Sequence, residues 1–238
     1  MKTLVLHTFS SDAYALSIED HPYLSDQDIP PGKTYLYPGS VWAVCHNFSE
    51  HASSENLPHR FFMKSRSAII GHKEPICIPS GMDTIEVEAE LVAILGKRAS
   101  RITLEQAPQH ILGYTCGNDV TMPPWMSSDV TWNRAKASDT FAPIGPVIKK
   151  NLRLENSMLS LHINGHTIEE CGFSIMKSNP WEVIAALSQY TTLEPGDVVF
   201  LGTPLRPALV KAGDVVEVEI KDIGVLANPI LESKGHCR

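Results

Sequence analysis

From Val41 onward the apolar positions of this chain fall in short runs: Val41 to Cys45, Ala68 to Ile70, Leu91 to Leu95, Leu159 to Ile163, Val198 to Leu201 and Val215 to Ile220. Runs this short, rich in β-branched side chains and bounded by turn residues, predict strands rather than helices. The punctuation agrees. Asn164-Gly165 between Leu161-His162-Ile163 and His166-Thr167-Ile168 is the signature of a type I′ hairpin, and Pro195-Gly196-Asp197 and Ala212-Gly213-Asp214 mark further turns. Two helix starts are legible: Thr103 with Gln106 three residues on, and Asn179 followed by Pro180 with Glu182 at the third helical position. In the second, Trp181, Ile184, Ala185 and Leu187 form an apolar stripe suited to core packing. Residues 1–40 read as a lead-in appendage, one short apolar strand followed by the polar, proline-containing stretch Ser25 to Gly32. Residues 231–238 read as a tail.

Composition narrows the class. The chain has 238 residues, of which 43% are hydrophobic and 20% charged, so a globular fold with a substantial core is expected. A net charge of −7, with no Lys/Arg-rich stripe, argues against nucleic acid as a partner and for a small molecule. The five cysteines are odd in number, scattered and without a Cys-x-x-Cys pair, which predicts reduced thiols in a cytoplasmic protein and no zinc site. The run Met1 to His7 is too short for a signal peptide, and no run approaches the ~20 residues of a membrane span.

The densest chemistry lies in Glu86-Val87-Glu88-Ala89-Glu90, which sets three carboxylates two residues apart before running into apolar sequence. On a strand, alternation puts all three on one face, spaced by roughly 7 Å. Carboxylates so close repel unless some are protonated or a cation sits among them. Alternating Glu is most often a solvated sheet face, but Asn118-Asp119 after Ile111-Leu112-Gly113-Tyr114-Thr115 offers another acid at a strand end. Oxygen donors without His or Cys suit Mg²⁺ or Mn²⁺. His51 and Glu55, four apart, would share a face on one helical turn and form a base with its orienter. Lys136 lies in a semi-apolar, proline-closed segment where an ammonium could hold an oxyanion, and Gly202-Thr203-Pro204 ends a strand in a corner with free backbone N–H groups.

In this order these pieces resemble the fumarylacetoacetate hydrolase family, from about Val41 to Pro229. The matching elements are Asn47 to His51, Phe62-Met63-Lys64-Ser65, Pro75-Ile76 with Pro79, Glu88 to Leu91 with Gly96-Lys97, Gly113-Tyr114-Thr115, and Asn118-Asp119. They continue through Arg134-Ala135-Lys136, Gly145-Pro146, Asn164-Gly165, Thr192 to Asp197, Gly202-Thr203-Pro204 and Gly213-Asp214. The resemblance implies one catalytic domain over residues 41–230. Its fold would be mainly β with a few short helices (α+β), a mixed β-sandwich roll, assembled as a homodimer. It makes Glu88, Glu90 and Asp119 the metal ligands for Mg²⁺ or Mn²⁺, His51 the general base with Glu55 as its nearest following acid, and Lys136 the oxyanion-stabilising lysine. Thr203 and Gly202 then form the substrate-binding turn, and Glu86 falls outside the triad as an exposed residue.

The implied activity is metal-dependent chemistry on a small β-diketo or 2-oxo acid. Hydrolytic C–C cleavage of an acylpyruvate or fumarylacetoacetate-like substrate comes first. The alternatives are decarboxylation or tautomerisation of a 2-oxo acid such as oxaloacetate or 2-hydroxyhepta-2,4-diene-1,7-dioate, and, in another class, a homologue that only binds metal or ligand. The chain departs from the family in three ways. Its dyad spacing is one residue longer than His-x-x-Glu, Asp119-Val120-Thr121-Met122-Pro123-Pro124-Trp125-Met126 lacks the arginine and glutamine that many members carry, and Ala52 to Phe62 is short for a lid.

Overall fold

The computed structural model describes residues 2–20, 30–48 and 59–233. The chain opens with β1 (Lys2–Ser10), β2 (Ala13–Asp20), β3 (Lys33–Leu36), β4 (Val41–Cys45) and β5 (Arg60–Lys64). Two short strands follow, β6 (Ile69–Ile70) and β7 (Ile76–Ile78), and then β8 (Thr84–Val87), β9 (Ala89–Leu95) and β10 (Ile111–Asn118). Two single-turn helices, α1 (Pro123–Ser128) and α2 (Asn133–Ala137), lead into β11 (Ala142–Lys149), β12 (Met158–Ile163) and β13 (His166–Gly172). The last elements are α3 (Pro180–Leu187), β14 (Val198–Phe200), β15 (Ala208–Lys211), β16 (Val215–Ile220) and β17 (Gly224–Glu232). The fold is thus mainly β with short helices, as the sequence implied.

A ten-stranded sheet runs β3-β1-β2-β11-β10-β9-β14-β4-β5 with β6 added on β11, and a five-stranded sheet runs β13-β12-β16-β17-β7. The two sheets pack face to face where β12, β16 and β17 meet β9, β10 and β11. Central β9 is buried at every position, which explains its near-continuous apolar sequence after Glu90. The Asn164-Gly165 turn closes the β12–β13 hairpin with φ of 54° and 75°, the paired positive values of a type I′ turn. Asp197, buried beside β14, ties that strand to the chain entering β4 by accepting from the Gly39 and Ser40 amides and the Ser40 hydroxyl, at 2.8, 2.8 and 2.7 Å.

Four expectations change. The lead-in carries three strands, not one, and Leu4, Leu6, Leu16 and Ile18 are buried as β2 joins the large sheet on β11. The Thr103 helix does not form: Gln106 Oε1 accepts from the Thr103 amide at 2.9 Å, but only a 3₁₀ turn, Ala107–Gln109, follows. Pro108 inside it lacks the N–H and crowds the preceding residue out of a helix. Ala68 closes a 3₁₀ turn, leaving Ile69–Ile70 as the strand. Cys77 is disulfide-bonded while Cys45, Cys116 and Cys171 are in no disulfide, so reduced thiols hold only for those three among the described cysteines. Pairing depends on spatial distance, which spacing along the chain does not reveal. The Asn179 helix forms with both halves of its capping box.

Candidate active site

The acids are brought together by the pairing of β9 with β10. Glu90 lies opposite Gly117 and Ala89 opposite Asn118, so the chain beyond β10 continues with the Asp119 amide donating to the Glu88 carbonyl at 2.9 Å. Cross-strand neighbours share a face, which places Asp119 beside Glu88 with Glu90 two residues along. A further pair of bonds between Glu86 and Thr121, each 2.9 Å, fixes this register. Gly117 makes room for the Val92 and Phe200 side chains, which a Cβ there would meet at 2.3 and 2.8 Å.

Two lysines enter from other elements. Lys136 on α2 is 4% exposed and donates to Glu88 Oε2 at 2.6 Å and to Asp119 Oδ2 at 2.7 Å, with the Phe62 ring 5.2 Å away. Lys64, the last residue of β5, is 2% exposed and pairs with the other Asp119 oxygen while donating to the Val120 carbonyl at 3.2 Å. Glu90, 3% exposed, accepts from the Gly202 amide at 2.8 Å. Gly202 reaches that position with φ of 85°, and a Cβ would meet Asn47 at 3.2 Å. Only glycine fits so readily there.

The charges respond to this packing. Burial, reinforced by the Asp119 and Glu88 charges, holds the Glu90 carboxyl well above the usual range. Burial pushes Asp119 the same way, but Lys136 and Lys64 outweigh it and hold the carboxyl low. Lys136 is the mirror case: burial disfavours its ammonium, and Asp119 and Glu88 more than compensate, so its pKa is raised. Burial dominates at Lys64, lowering its pKa, and pushes the Cys45 thiol up to about 12. Glu86, expected to be exposed, is half-buried on the same cleft wall, its carboxyl raised by burial and then by Glu88.

The cleft encloses about 240 Å³ and is lined by Glu86, Glu88, Glu90, Asp119 and Lys136, by Gly202 and Thr203, and by the apolar Phe62, Met126, Trp132 and Pro207. Thr203 Oγ1 accepts from the Leu205 amide at 3.1 Å, shaping the corner. Thus Glu88, Glu90, Asp119, Lys136, Gly202 and Thr203 converge, whereas His51 and Glu55 lie outside the described residues. Lys64 was missed as a functional residue. Its signal was a lysine ending the run Phe61-Phe62-Met63, at a position where alternation points inward.

Residues 40–231 match the family described as Fumarylacetoacetate (FAA) hydrolase C-terminal. The chain belongs to the fumarylacetoacetate hydrolase family. It is 32% identical over 82% of its length to the mitochondrial oxaloacetate tautomerase fahd2 of Xenopus laevis, covering 66% of that protein. The fold superposes with a TM-score of 0.80 on 5-carboxymethyl-2-hydroxymuconate delta-isomerase from Mycobacterium smegmatis, at 26% identity over 98% of this chain and 99% of that one. It superposes at 0.77 on fumarylpyruvate hydrolase from Pseudomonas aeruginosa in complex with Mn²⁺ and pyruvate, at 25% identity over 90% and 100% of the two chains. These relatives of the fumarylacetoacetate hydrolase family are enzymes: a tautomerase, an isomerase and a hydrolase.

Whether this family member's residues suit a divalent ion can be judged from their contacts. Among the described residues no three acidic, His or Cys side chains already surround one point. Lys136 stands between Glu88 and Asp119 instead. The donor set nonetheless fits a hard cation: it is all carboxylate, and three acids face two ammonium groups. Glu90 has the Gly202 amide as its partner and, among the described residues, no ammonium of its own.

Proposed function

We propose that this protein interconverts the keto and enol forms of a small 2-oxo acid, with a divalent cation, Mg²⁺ or Mn²⁺, held by Glu88, Glu90 and Asp119. The observation that carries this choice of reaction is the wall facing the acids. Where many members carry an arginine and a glutamine, α1 and the turn into α2 present Met126 and Trp132, side chains with no basic group to activate water. A wall without a base beside a fixed ammonium suits proton transfer more than hydrolysis. The likeness to an oxaloacetate tautomerase points the same way.

Tautomerisation moves a proton between C3 and the 2-oxygen, so the barrier lies in the negative charge that gathers on that oxygen. Lys136 is placed to stabilise that charge. Its raised pKa keeps it an ammonium, which makes it an electrostatic partner and not a base. A bound divalent ion would polarise the 2-oxo group as a Lewis acid. Thr203, at the corner whose Gly202 amide is already bonded to Glu90, binds the substrate's carboxylate, and His51 with Glu55 carries the proton, roles that rest on the family resemblance. The same resemblance supports a homodimer.

Hydrolytic C–C cleavage is the second reading, favoured by the likeness to fumarylpyruvate hydrolase. The deciding assay follows enol-oxaloacetate decay with Mn²⁺, with EDTA, and in Glu88→Gln and Asp119→Asn. Chelation and either substitution should lower turnover by about 100-fold or more. Full activity in both variants without added metal would overturn the assignment, and pyruvate release from an acylpyruvate in place of enol decay would select hydrolysis.

A further inference from the structure

We propose that His46 sets the substrate specificity of this cleft: its imidazole takes the second carboxylate of a 2-oxo dicarboxylic acid. The inference deepens the proposed function and rests on it.

His46 follows directly on β4 and lines the same cleft as Glu88, Glu90, Asp119 and Lys136. It is exposed, and among the described residues its ring makes no hydrogen bond or ion pair. The ammonium groups are both held at the acid end of the cleft, Lys136 by Glu88 and Asp119, and Lys64 by Asp119. A ligand with an acid at each end therefore meets a wall of carboxylates, Glu86 included, with its far end unserved. Among the described residues lining the cleft, two side chains still have an N–H to offer: the Trp132 indole, whose ring packs edge-on against Phe62, and the His46 imidazole, which donates one even when neutral.

Its backbone is built for this position. His46 has a φ of 56°, a left-handed conformation that costs a residue other than glycine roughly 1 kcal/mol or more. The surroundings over-determine it. Lys177 Nζ donates to the His46 carbonyl at 3.0 Å, and the neighbouring Asn47 side chain donates to the Ser178 and Leu201 carbonyls at 3.0 and 2.9 Å. Asn47 Oδ1 accepts in turn from the Ser178 amide at 3.1 Å. An ordinary surface histidine needs no such clamp. Strain held this firmly beside a cleft is what a preorganised contact requires.

The test compares oxaloacetate with pyruvate, which has the same 2-oxo acid head and lacks the distal carboxylate. His46→Gly removes the ring at a φ that glycine adopts freely, so the fold is retained. His46→Gln restores a donor. In His46→Gly, KM for enol-oxaloacetate should rise about tenfold or more while kcat stays within about twofold. The pyruvate inhibition constant should not change, and His46→Gln should recover most of the loss. An unchanged KM, or equal weakening of both ligands, would overturn the assignment and leave the activity standing. A wild-type protein that neither turns over oxaloacetate nor binds it calorimetrically with Mn²⁺ would remove both readings.

Discussion

At the scale of single residues the site is a problem of buried charge. Lys64 and Asp119 are almost fully removed from water, and a buried pair is expensive to break because the survivor keeps its desolvation penalty. Lys64→Met should therefore destabilise the protein by about 3–5 kcal/mol in urea denaturation. The double variant Lys64→Met with Asp119→Asn should recover part of that loss, since it removes a buried carboxylate that would otherwise be left with Lys136 as a partner shared with Glu88. Equal and additive losses would show that the two do not act as a pair. The sequence exposed the acids because three glutamates at a two-residue spacing are conspicuous. It did not expose Lys64, because one lysine at a strand end looks the same whether it meets solvent or an aspartate that lies far along the chain.

At the scale of elements, β9 and β10 are the platform. Their register puts Glu90 opposite Gly117 and Asp119 next to Glu88, and the missing side chain at Gly117 leaves room that Val92 and Phe200 fill. Gly117→Ala forces a methyl into that space, so overpacking should cost about 1–3 kcal/mol. A thermal melt checks this, and a melting temperature equal to that of the wild type would show that the sheet absorbs the methyl without cost. Element prediction succeeded where local chemistry was self-sufficient, as at the Asn164-Gly165 turn and the Asn179 cap. It failed at Thr103, where half the capping signal formed and Pro108 prevented the helix from continuing.

At the scale of the whole molecule, the ionic contacts set a pH dependence. Asp12, Asp129, Asp214 and Asp119 are all held below the ordinary aspartate value of 3.8. Their partners are Lys149, Arg134, the Lys211 amide, and Lys136 with Lys64, the last two acting against burial. A carboxyl whose folded pKa is depressed lends stability that is full above its unfolded pKa and is lost as pH falls through the folded value. Glu90 and Glu86, both raised, work in the opposite sense. The raised groups act mainly above their unfolded value of 4.5 and the depressed ones below 3.8, so the urea midpoint should fall as pH is lowered from about 4 to about 3. A flat midpoint over that interval would contradict this balance.

The sequence by itself determined the strand-rich class, the hairpin and turn positions, the α3 cap and the identity of the acids, because each is written in residues within a few positions of one another. Only the tertiary structure decided that the first strands complete the large sheet, that Lys64 and Lys136 share Asp119, and that His46 lines the cleft. Those outcomes depend on which distant segments pair and in what register. A one-residue slip of β9 against β10 would turn the same glutamates to the other face.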